Sequence, residues 1–136
     1  MKIRNVKKED KEQILKLARL LYRGSQKIVQ KYEKRYYTMC EKAFVVEDKR
    51  KLIGYIAFNL RRDSLYIADL YIKKDYRRRG IATSLLKIVG RMHKKFKKKY
   101  LRVDVRKKDY PAKKLYEKFG FKFWKPKGKR SIKLKK

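Results

Sequence analysis

The clearest chemical feature of the sequence is a basic loop that joins an apolar strand pattern to a helix pattern. The loop carries Arg77, Arg78 and Arg79, and the small residues Gly80 and Ala82 stand where the helix begins. A helix start offers unpaired backbone N–H groups and the positive end of the helix dipole, and small residues let an anion approach them closely. The loop therefore predicts a phosphate or pyrophosphate site, with an ordinary turn carrying solvated arginines as the alternative.

Several other kinds of site are excluded by the residues present. The sequence contains neither Gly-x-x-x-x-Gly-Lys-Ser/Thr nor Gly-x-Gly-x-x-Gly, so a P-loop is excluded and a Rossmann dinucleotide site is not indicated. His93 is the only histidine and Cys40 is the only cysteine. These counts exclude a two-His metal site, a Cys-rich zinc site, an intrachain disulfide and the usual Ser–His or Cys–His triad with a spare base. We expect no metal site.

The elements that must position the loop follow from the apolar periodicity of the sequence. Strands are predicted at 1–6, 43–47, 52–60, 65–72, 100–106, 121–124 and 131–134. Helices are predicted at 8–21, 25–41, 81–96 and 112–119, with Asp109 capping the last of them and Gly120 following it. The order β-α-α-β-β-β-α-β-α-β-β predicts the α/β class. We expect one domain over residues 1–136, with a mixed, mostly antiparallel central sheet flanked by helices and the basic residues 122–136 as a last hairpin around Pro126 to Gly128.

The charge of the chain is extreme. Lys and Arg number 45 against 13 Asp and Glu, which gives a formal net charge of +32. Such a charge attracts polyanions, including nucleic acid, a ribosome or a phosphate-rich cofactor, and a Lys-biased composition without a specific partner is the alternative. No apolar run reaches the roughly 18–20 residues of a membrane span, and no signal-peptide pattern opens the chain. We therefore expect no membrane partner and a cytoplasmic location.

The basic loop resembles the acetyl-CoA motif of the GCN5-related N-acetyltransferase (GNAT) family. That motif reads Arg/Gln-x-x-Gly-x-Gly/Ala after a strand, and this chain has Arg77-x-x-Gly80-x-Ala82 after an apolar segment. Ala82 replaces the frequent Gly, which the motif permits.

A second stretch resembles the later motif of the same family, Asn-x-x-Ala-x-x-x-Tyr followed by Gly-Phe. This chain has Asp109-x-x-Ala112-x-x-x-Tyr116 followed by Gly120-Phe121, with Asp in place of Asn. Both motifs stand in the family's order, and the order of elements agrees over nearly the whole chain. The chain is therefore identified as a member of this family, with a GNAT-like domain.

The resemblance implies an N-acetyltransferase, an acyltransferase that uses acetyl-CoA and releases CoA after direct attack by a primary amine in a ternary complex. Backbone groups of Leu70 and Ile72 would pair with the pantetheine arm, and those of 78–82 would hold the pyrophosphate while Arg77 screens its charge. Tyr116 would be the general acid for the leaving thiolate, with a core aromatic as the alternative. The predicted cofactor-binding set is Leu70, Tyr71, Ile72, Arg77, Arg78, Arg79, Gly80, Ile81, Ala82, Thr83, Asp109, Ala112 and Tyr116.

The attacking amine must be neutral, so a base has to remove a proton. Asp69 and Asp104 are the candidates, acting directly or through water. Asp104 lies in Val-Asp-Val-Arg, which resembles the Leu-Glu-Val-Arg stretch of RimI-type ribosomal-protein N-terminal acetyltransferases, whose Glu is assigned as base. Structural ion pairs are the alternative for both carboxylates. We expect Arg102 and Arg106 to pair with Asp104 on their shared strand face, which would favour its charged form and weaken it as a base.

The acceptor is only partly indicated by the sequence. We expect an amine on a protein N-terminus or lysine, because the few scattered acidic residues disfavour a free polycation. The basic segments 94–99 and 122–136 are expected to dock on nucleic acid or a ribosome. A small-molecule amine acetyltransferase and a catalytically inactive nucleic-acid-binding module on the same fold stay open as alternatives. The aromatic residues Trp124 and Tyr36-Tyr37 either line an acceptor pocket or pack in the core. The protein is expected to be a monomer or a homodimer.

Overall fold

The computed structural model describes residues 1–22, 30 and 42–136. Their strands are β1 (Lys2–Asn5), β2 (Ala43–Asp48), β3 (Lys51–Leu60), β4 (Ser64–Ile72), β5 (Tyr100–Arg106), β6 (Lys122–Lys127) and β7 (Ser131–Lys135). Their helices are α1 (Lys11–Leu21), α2 (Ile81–Lys95) and α3 (Tyr110–Lys118), and 3-10 turns stand at Lys8–Asp10 and Lys74–Tyr76. Apart from residue 30, the predicted helix at 25–41, with Cys40 and Tyr36-Tyr37, lies outside the described residues. Among the helices described, none has the length and apolarity needed to cross a membrane.

The strands form a mixed sheet with the order β1-β2-β3-β4-β5-β7-β6. Antiparallel pairs join β1 to β2, β2 to β3, β5 to β7 and β6 to β7. The pair of β4 and β5 is parallel, with Ser64–Ile67 opposite Tyr100–Val103. This arrangement confirms the predicted α/β class and the mostly antiparallel sheet. The element order also agrees with the prediction over the described residues.

Contacts within the chain define two compact units, and the first comprises Met1–Phe58 and Asp69–Leu86. Its core forms where the apolar stripe of α1 meets β2 and β3. Ile14 and Leu17 are buried there in one cluster with Val45, Tyr55 and Ala57. Burying one such Leu or Ile side chain contributes about 1.5–3 kcal/mol, so this cluster is a main source of the unit's stability.

The second unit comprises Asn59–Ala68 and Lys87–Lys136. On β5 the side chains of Leu101, Val103 and Val105 are buried, whereas Arg102 and Asp104 on the opposite face are partly exposed. Successive strand residues point to opposite faces of a sheet, so this alternation separates an apolar face from a polar one. The single domain over residues 1–136 stays a prediction.

A buried ion pair fixes the N-terminal entry into α1. The Arg4 guanidinium donates to both carboxylate oxygens of Asp10 at 2.8 and 2.9 Å, and the backbone N–H of Lys7 donates to Asp10 Oδ2 at 2.8 Å. Burial by itself would raise the pKa of Asp10, but the hydrogen bonds from Arg4 and Lys7 and the attraction of their charges outweigh it and lower that pKa below 3.8. Asp10 therefore stabilises the fold as an anion.

Two details differ from the sequence-based expectations. β6 extends to Lys127, so Pro126 lies within the strand opposite Ile132 and the turn falls at 128–130. Because β6 is last in the strand order, its proline does not remove an N–H that an interior ladder would need. Phe96, expected on the apolar face of α2, lies just beyond the end of that helix and is 42% exposed.

Candidate active site

The basic loop of the first unit is shaped by two residues in the left-handed region. Arg78 has φ of 62° and Gly80 has φ of 78°, and α2 begins immediately afterwards at Ile81. The Gly80 carbonyl accepts from both the N–H and the Oγ of Ser84 at 3.0 Å, so Gly80 caps the helix. In an α-helix the first N–H groups have no partner within the helix. The first N–H groups of α2 are therefore the candidate donors of the loop, and the phosphate site itself stays a prediction.

The space in front of Gly80 is open. Among the described residues other than Gly80 and its two chain neighbours, no heavy atom lies within 4 Å of the position that a Cβ on Gly80 would occupy. Glycine is favoured here because φ is positive, a conformation that costs residues with a side chain more than it costs glycine. A side chain added at this position would extend into this open space next to the start of α2.

The arginines of the loop contact its own framework. Arg77 Nε donates to the Ile72 carbonyl at 2.9 Å, which ties the loop back to the end of β4. The Arg79 guanidinium lies 5.0 Å from the centroid of the Tyr76 ring. Tyr76 in turn donates to Asp48 Oδ2 at 2.8 Å, and this hydrogen bond, helped by burial and the charge of Asp48, raises the pKa of Tyr76 above 10. These contacts hold the loop against β2 and β4.

The last residues of β4 are positioned by a close approach to β3. Lys73 donates its N–H to the Ile53 carbonyl at 2.8 Å. A Cβ on Gly54 would lie 2.6 Å from Ile72 Cδ1 and 2.8 Å from the Tyr71 carbonyl oxygen, so only glycine fits there. Of the predicted pantetheine-pairing segment, Leu70 and Tyr71 are partly exposed and Ile72 is buried.

Asp69, one of the two predicted bases, is enclosed by tyrosines. Its side chain is buried, with the residue only 4% exposed. Oδ1 accepts from the Tyr22 hydroxyl, and Oδ2 accepts from the hydroxyl of the fully buried Tyr55 at 3.5 Å. A carboxylate in such surroundings is retained because hydrogen bonds compensate its lost hydration. These contacts match the structural alternative more closely than a base that meets substrate.

Asp104, the other predicted base, has different partners from those expected. Its Oδ2 accepts from the Tyr66 hydroxyl at 2.7 Å and from Lys127 Nζ at 2.5 Å. The expected pairing with Arg102 and Arg106 was wrong, since Arg102 pairs instead with Asp63 at 3.6 Å and Arg106 is exposed. Same-face neighbours on one strand are about 6.6–6.8 Å apart, whereas side chains on adjacent strands approach more closely. Cross-strand partners therefore reach Asp104 first.

A small recess lies beside Asp104 in the second unit. Its volume is about 30 Å³, room for one water, and it is lined by Arg61, Tyr66, Arg102, Asp104, Trp124, Lys133 and Leu134. Arg61 lies 3.9 Å from the centroid of the Tyr66 ring, and Arg102 lies 4.3 Å from that of Trp124. Arg102 Nε is buried and has no hydrogen-bond partner among the described residues. Trp124 thus lines this small recess. Its role in an acceptor pocket stays a prediction.

Tyr66 is the residue that sequence reasoning missed. It lies opposite Arg102 in the parallel pair of β4 and β5, one same-face step from Asp104. Only the strand register brings the two side chains together, and neither family motif includes Tyr66.

The later motif forms the start and end of α3. Asp109 Oδ1 accepts from the N–H of Ala112 at 3.1 Å, which confirms the predicted N-cap. Gly120 has φ of 93° and follows the helix, as a helix-ending glycine should. Tyr116 is 5% exposed, and its ring meets the ring of Phe121 edge-on at 5.3 Å. The spacing of this motif therefore matches the residues that begin and end α3.

Solved structures with the same fold cover almost the whole chain. The PaiA N-acetyltransferase of Thermoplasma acidophilum in complex with coenzyme A is 21% identical with a TM-score of 0.80, over 99% of this chain and 97% of that one. Arabidopsis thaliana Naa50 in complex with the bisubstrate analogue CoA-Ac-MVNAL is 21% identical with a TM-score of 0.84, over 99% and 97%. The ribosomal-protein-alanine N-acetyltransferase of Brucella melitensis is 17% identical with a TM-score of 0.78, over 100% and 99%.

Sequence comparison gives the family directly. None of the curated proteins matches the sequence. The model of the acetyltransferase (GNAT) domain family matches residues 6–131, which is nearly the whole chain and includes both motifs. The chain therefore belongs to the GNAT family of acetyltransferases.

Proposed function

We propose that this protein transfers the acetyl group of acetyl-CoA to a primary amine by direct attack in a ternary complex. The observation that carries the proposal is the left-handed Gly80 at the start of α2, with open space in front of it, in a chain of the GNAT family. A helix start of this form binds anions through its N–H groups and dipole. Coenzyme A supplies such an anion in its pyrophosphate.

The cofactor is held mainly by backbone groups in this proposal. The N–H groups of 78–82 bind the pyrophosphate, and the neighbouring Thr83 and Arg79 add polar contacts at its edge. Leu70 and Ile72 pair with the pantetheine arm as an added strand would. The coenzyme A complex of the Thermoplasma structure supports this assignment through the shared fold.

The proton steps of this proposal fall to a carboxylate and a tyrosine. Asp104 takes the proton from the acceptor amine, and Tyr66 holds the carboxylate in place through its 2.7 Å hydrogen bond. The neutral nitrogen attacks the thioester carbonyl, the C–S bond breaks, and Tyr116 protonates the departing thiolate. Asp104 is favoured over Asp69 because its side chain is 18% exposed, whereas Asp69 is enclosed by tyrosine hydroxyls.

Calorimetry with acetyl-CoA and a pair of matched variants tests the cofactor site. Gly80→Glu adds a carboxylate in front of the helix start, so binding should be lost. Gly128→Glu is the control, because Gly128 also has positive φ, at 62°, and open surroundings among the described residues. Equal loss of affinity in both variants would show that strain or charge, rather than the site, is responsible.

For the acceptor we propose a protein N-terminus or lysine. The peptide portion of the bisubstrate analogue in the Naa50 complex and the substrate named for the Brucella enzyme support this class through the shared fold. The rival is a free metabolite amine. Turnover of acetyl-CoA with N-terminal peptides, lysine peptides and polyamines separates the two, and activity on polyamines alone would refute the protein acceptor.

We further propose that the sheet face around Trp124 docks on single-stranded nucleic acid near the substrate. The Trp124 ring has Arg102 and Lys125 at 4.3 Å and Lys135 at 4.7 Å, a combination of stacking surface and phosphate-binding cations. Trp124 is the only tryptophan, so its fluorescence reports binding directly.

Titration with a short RNA at several salt concentrations tests this docking. Lys125→Gln with Lys135→Gln should reduce the log–log salt slope by about 1.4, the loss of two phosphate contacts. Lys49→Gln with Lys74→Gln, two exposed lysines of the first unit, is the control with the same change of charge. An equal reduction in both would mean that only net charge matters. Tight RNA binding without any turnover of acetyl-CoA would favour the inactive nucleic-acid-binding module.

A further inference from the structure

Lys127 places its own amine on the carboxylate that we assign as the base. Its Nζ lies 2.5 Å from Asp104 Oδ2, on the same oxygen that the Tyr66 hydroxyl contacts. The Lys127 side chain is 51% exposed, and it belongs to β6 next to the turn at 128–130. A primary amine in contact with this carboxylate is what the transfer reaction requires of its acceptor.

The surroundings of Asp104 favour this tethered amine over a free one. The recess is lined by the cations Arg61, Arg102 and Lys133, which repel a protonated amine arriving from solution. With Lys127 in place the recess has room for about one water. An amine on the chain itself escapes the entropic cost of association and is present at high effective concentration.

We propose that Lys127 is a self-acetylation site of this protein, a proposal that rests on the acetyltransferase function given above. Asp104 takes one proton from the Lys127 ammonium, and the neutral Nζ attacks the thioester carbonyl of acetyl-CoA. The N–C bond forms as the C–S bond breaks, the second Nζ proton is released, and the CoA thiolate takes a proton from Tyr116. The products are N-acetyl-lysine and CoA.

Acetylation of Lys127 would also remove the ion pair that Asp104 forms with this lysine. The amide product carries no charge, so the ion pair at 2.5 Å is lost while the Tyr66 hydrogen bond stays. Asp104 would then be released for an acceptor amine from another molecule. The modification would therefore precede full activity on external acceptors.

Neighbouring lysines of the same hairpin provide internal controls. Lys125 and Lys133 lie over the Trp124 ring at 4.3 and 5.8 Å, and neither is an ion-pair partner of Asp104 among the described residues. Non-enzymatic acetylation by acetyl-CoA should modify these lysines according to exposure. Lys127 should exceed both by at least about tenfold in initial rate, because of these three lysines it is the one whose amine forms an ion pair with the proposed base.

The experiment incubates the full-length protein with acetyl-CoA and maps acetyl-lysine by peptide mass spectrometry over time. Preferential acetylation of Lys127, at a fractional rate independent of protein concentration, is the expected result. Asp104→Asn should reduce the acetylation rate of Lys127 to the rates of Lys125 and Lys133. A rate at Lys127 no higher than at these two lysines, a rate proportional to protein concentration, or no effect of Asp104→Asn would each overturn self-acetylation.

Calorimetry with acetyl-CoA on the same preparation distinguishes a failure of self-acetylation from a failure of the proposed acetyltransferase function. If acetyl-CoA binds but Lys127 is not preferentially acetylated, self-acetylation is wrong and the cofactor site stands. If acetyl-CoA does not bind, the proposed acetyltransferase function fails, and self-acetylation fails with it. Lys127→Arg keeps a positive charge beside Asp104. It should remove the acetylation signal at this position while acetyl-CoA still binds, and it should hold activity on external acceptors at the low level of the unmodified protein.

Discussion

The loop at 77–84 and the cluster around Asp104 are built from different parts of the chain. The loop is a backbone structure, formed by two left-handed residues and a helix start within eight consecutive positions. The cluster is a side-chain structure, in which Asp104 on β5 meets Tyr66 on β4 and Lys127 on β6. The first kind of site depends on local conformation and tolerates few side chains, whereas the second depends on strand register and on the chemistry of each member.

The largest expected effect comes from filling the loop. Gly80→Val needs a β-branched residue at φ of 78° and places methyl groups in front of the helix start. We expect acetyl-CoA affinity to fall at least about 100-fold, which isothermal calorimetry measures. Arg77→Gln is the contrast, because its Nε contact to Ile72 is one side-chain hydrogen bond, and it should cost about tenfold or less. If Arg77→Gln costs more than Gly80→Val, the loop binds through side chains and the comparison fails.

The second largest effect is a loss of kcat when Asp104, the centre of the cluster, is replaced. Asp104→Asn keeps the shape of the side chain but removes the proton acceptor, so kcat should fall about 100-fold while the KM for acetyl-CoA changes little. Asp69→Asn is the matched variant in the first unit. Since Asp69 is enclosed by Tyr22 and Tyr55, it should lower thermal stability rather than kcat. The reverse outcome would make Asp69 the base.

The contrast between loop and cluster also explains what the sequence could predict. Gly80 and Ala82 stand close together in one motif, and the loop's conformation is determined locally, so the loop and the helix start that follows it could be predicted from the sequence. The partners of Asp104 were predicted wrongly because Arg102 and Arg106 are its nearest candidates in sequence. Tyr66 lies 38 positions away, and it reaches Asp104 only through the register of β4 with β5. Pairing of strands is a long-range property that periodicity does not reveal.

A smaller effect is expected at Tyr66. Tyr66→Phe removes the 2.7 Å hydrogen bond to Asp104 but keeps the ring under the Arg61 guanidinium. One hydrogen bond to a charged group is worth roughly 1.5–3 kcal/mol, and we expect kcat to fall about tenfold. Steady-state kinetics with a fixed acceptor would measure it. Tyr100→Phe, on the same sheet face without this contact, should leave kcat within about twofold; an equal loss there would point to general packing of the face.

The smallest effect on transfer, and a distinct effect on stability, is expected at Asp10. Its carboxylate is paired with Arg4 far from either site in sequence, so Asp10→Asn should leave kcat unchanged at neutral pH while lowering the free energy of unfolding by about 1–3 kcal/mol. Because the pKa of Asp10 is lowered on folding, the native ion pair stabilises fully above about pH 4. That contribution is lost as pH falls through the folded-state pKa.

Urea unfolding from pH 7 down to pH 2 should therefore show the difference in unfolding free energy between wild type and Asp10→Asn shrinking on acidification. Asp75→Asn, an exposed carboxylate, controls for the change of net charge. A difference independent of pH would mean that the asparagine disturbs packing and that the ion pair contributes little, which would leave the core around Ile14 and Leu17 as the unit's dominant support.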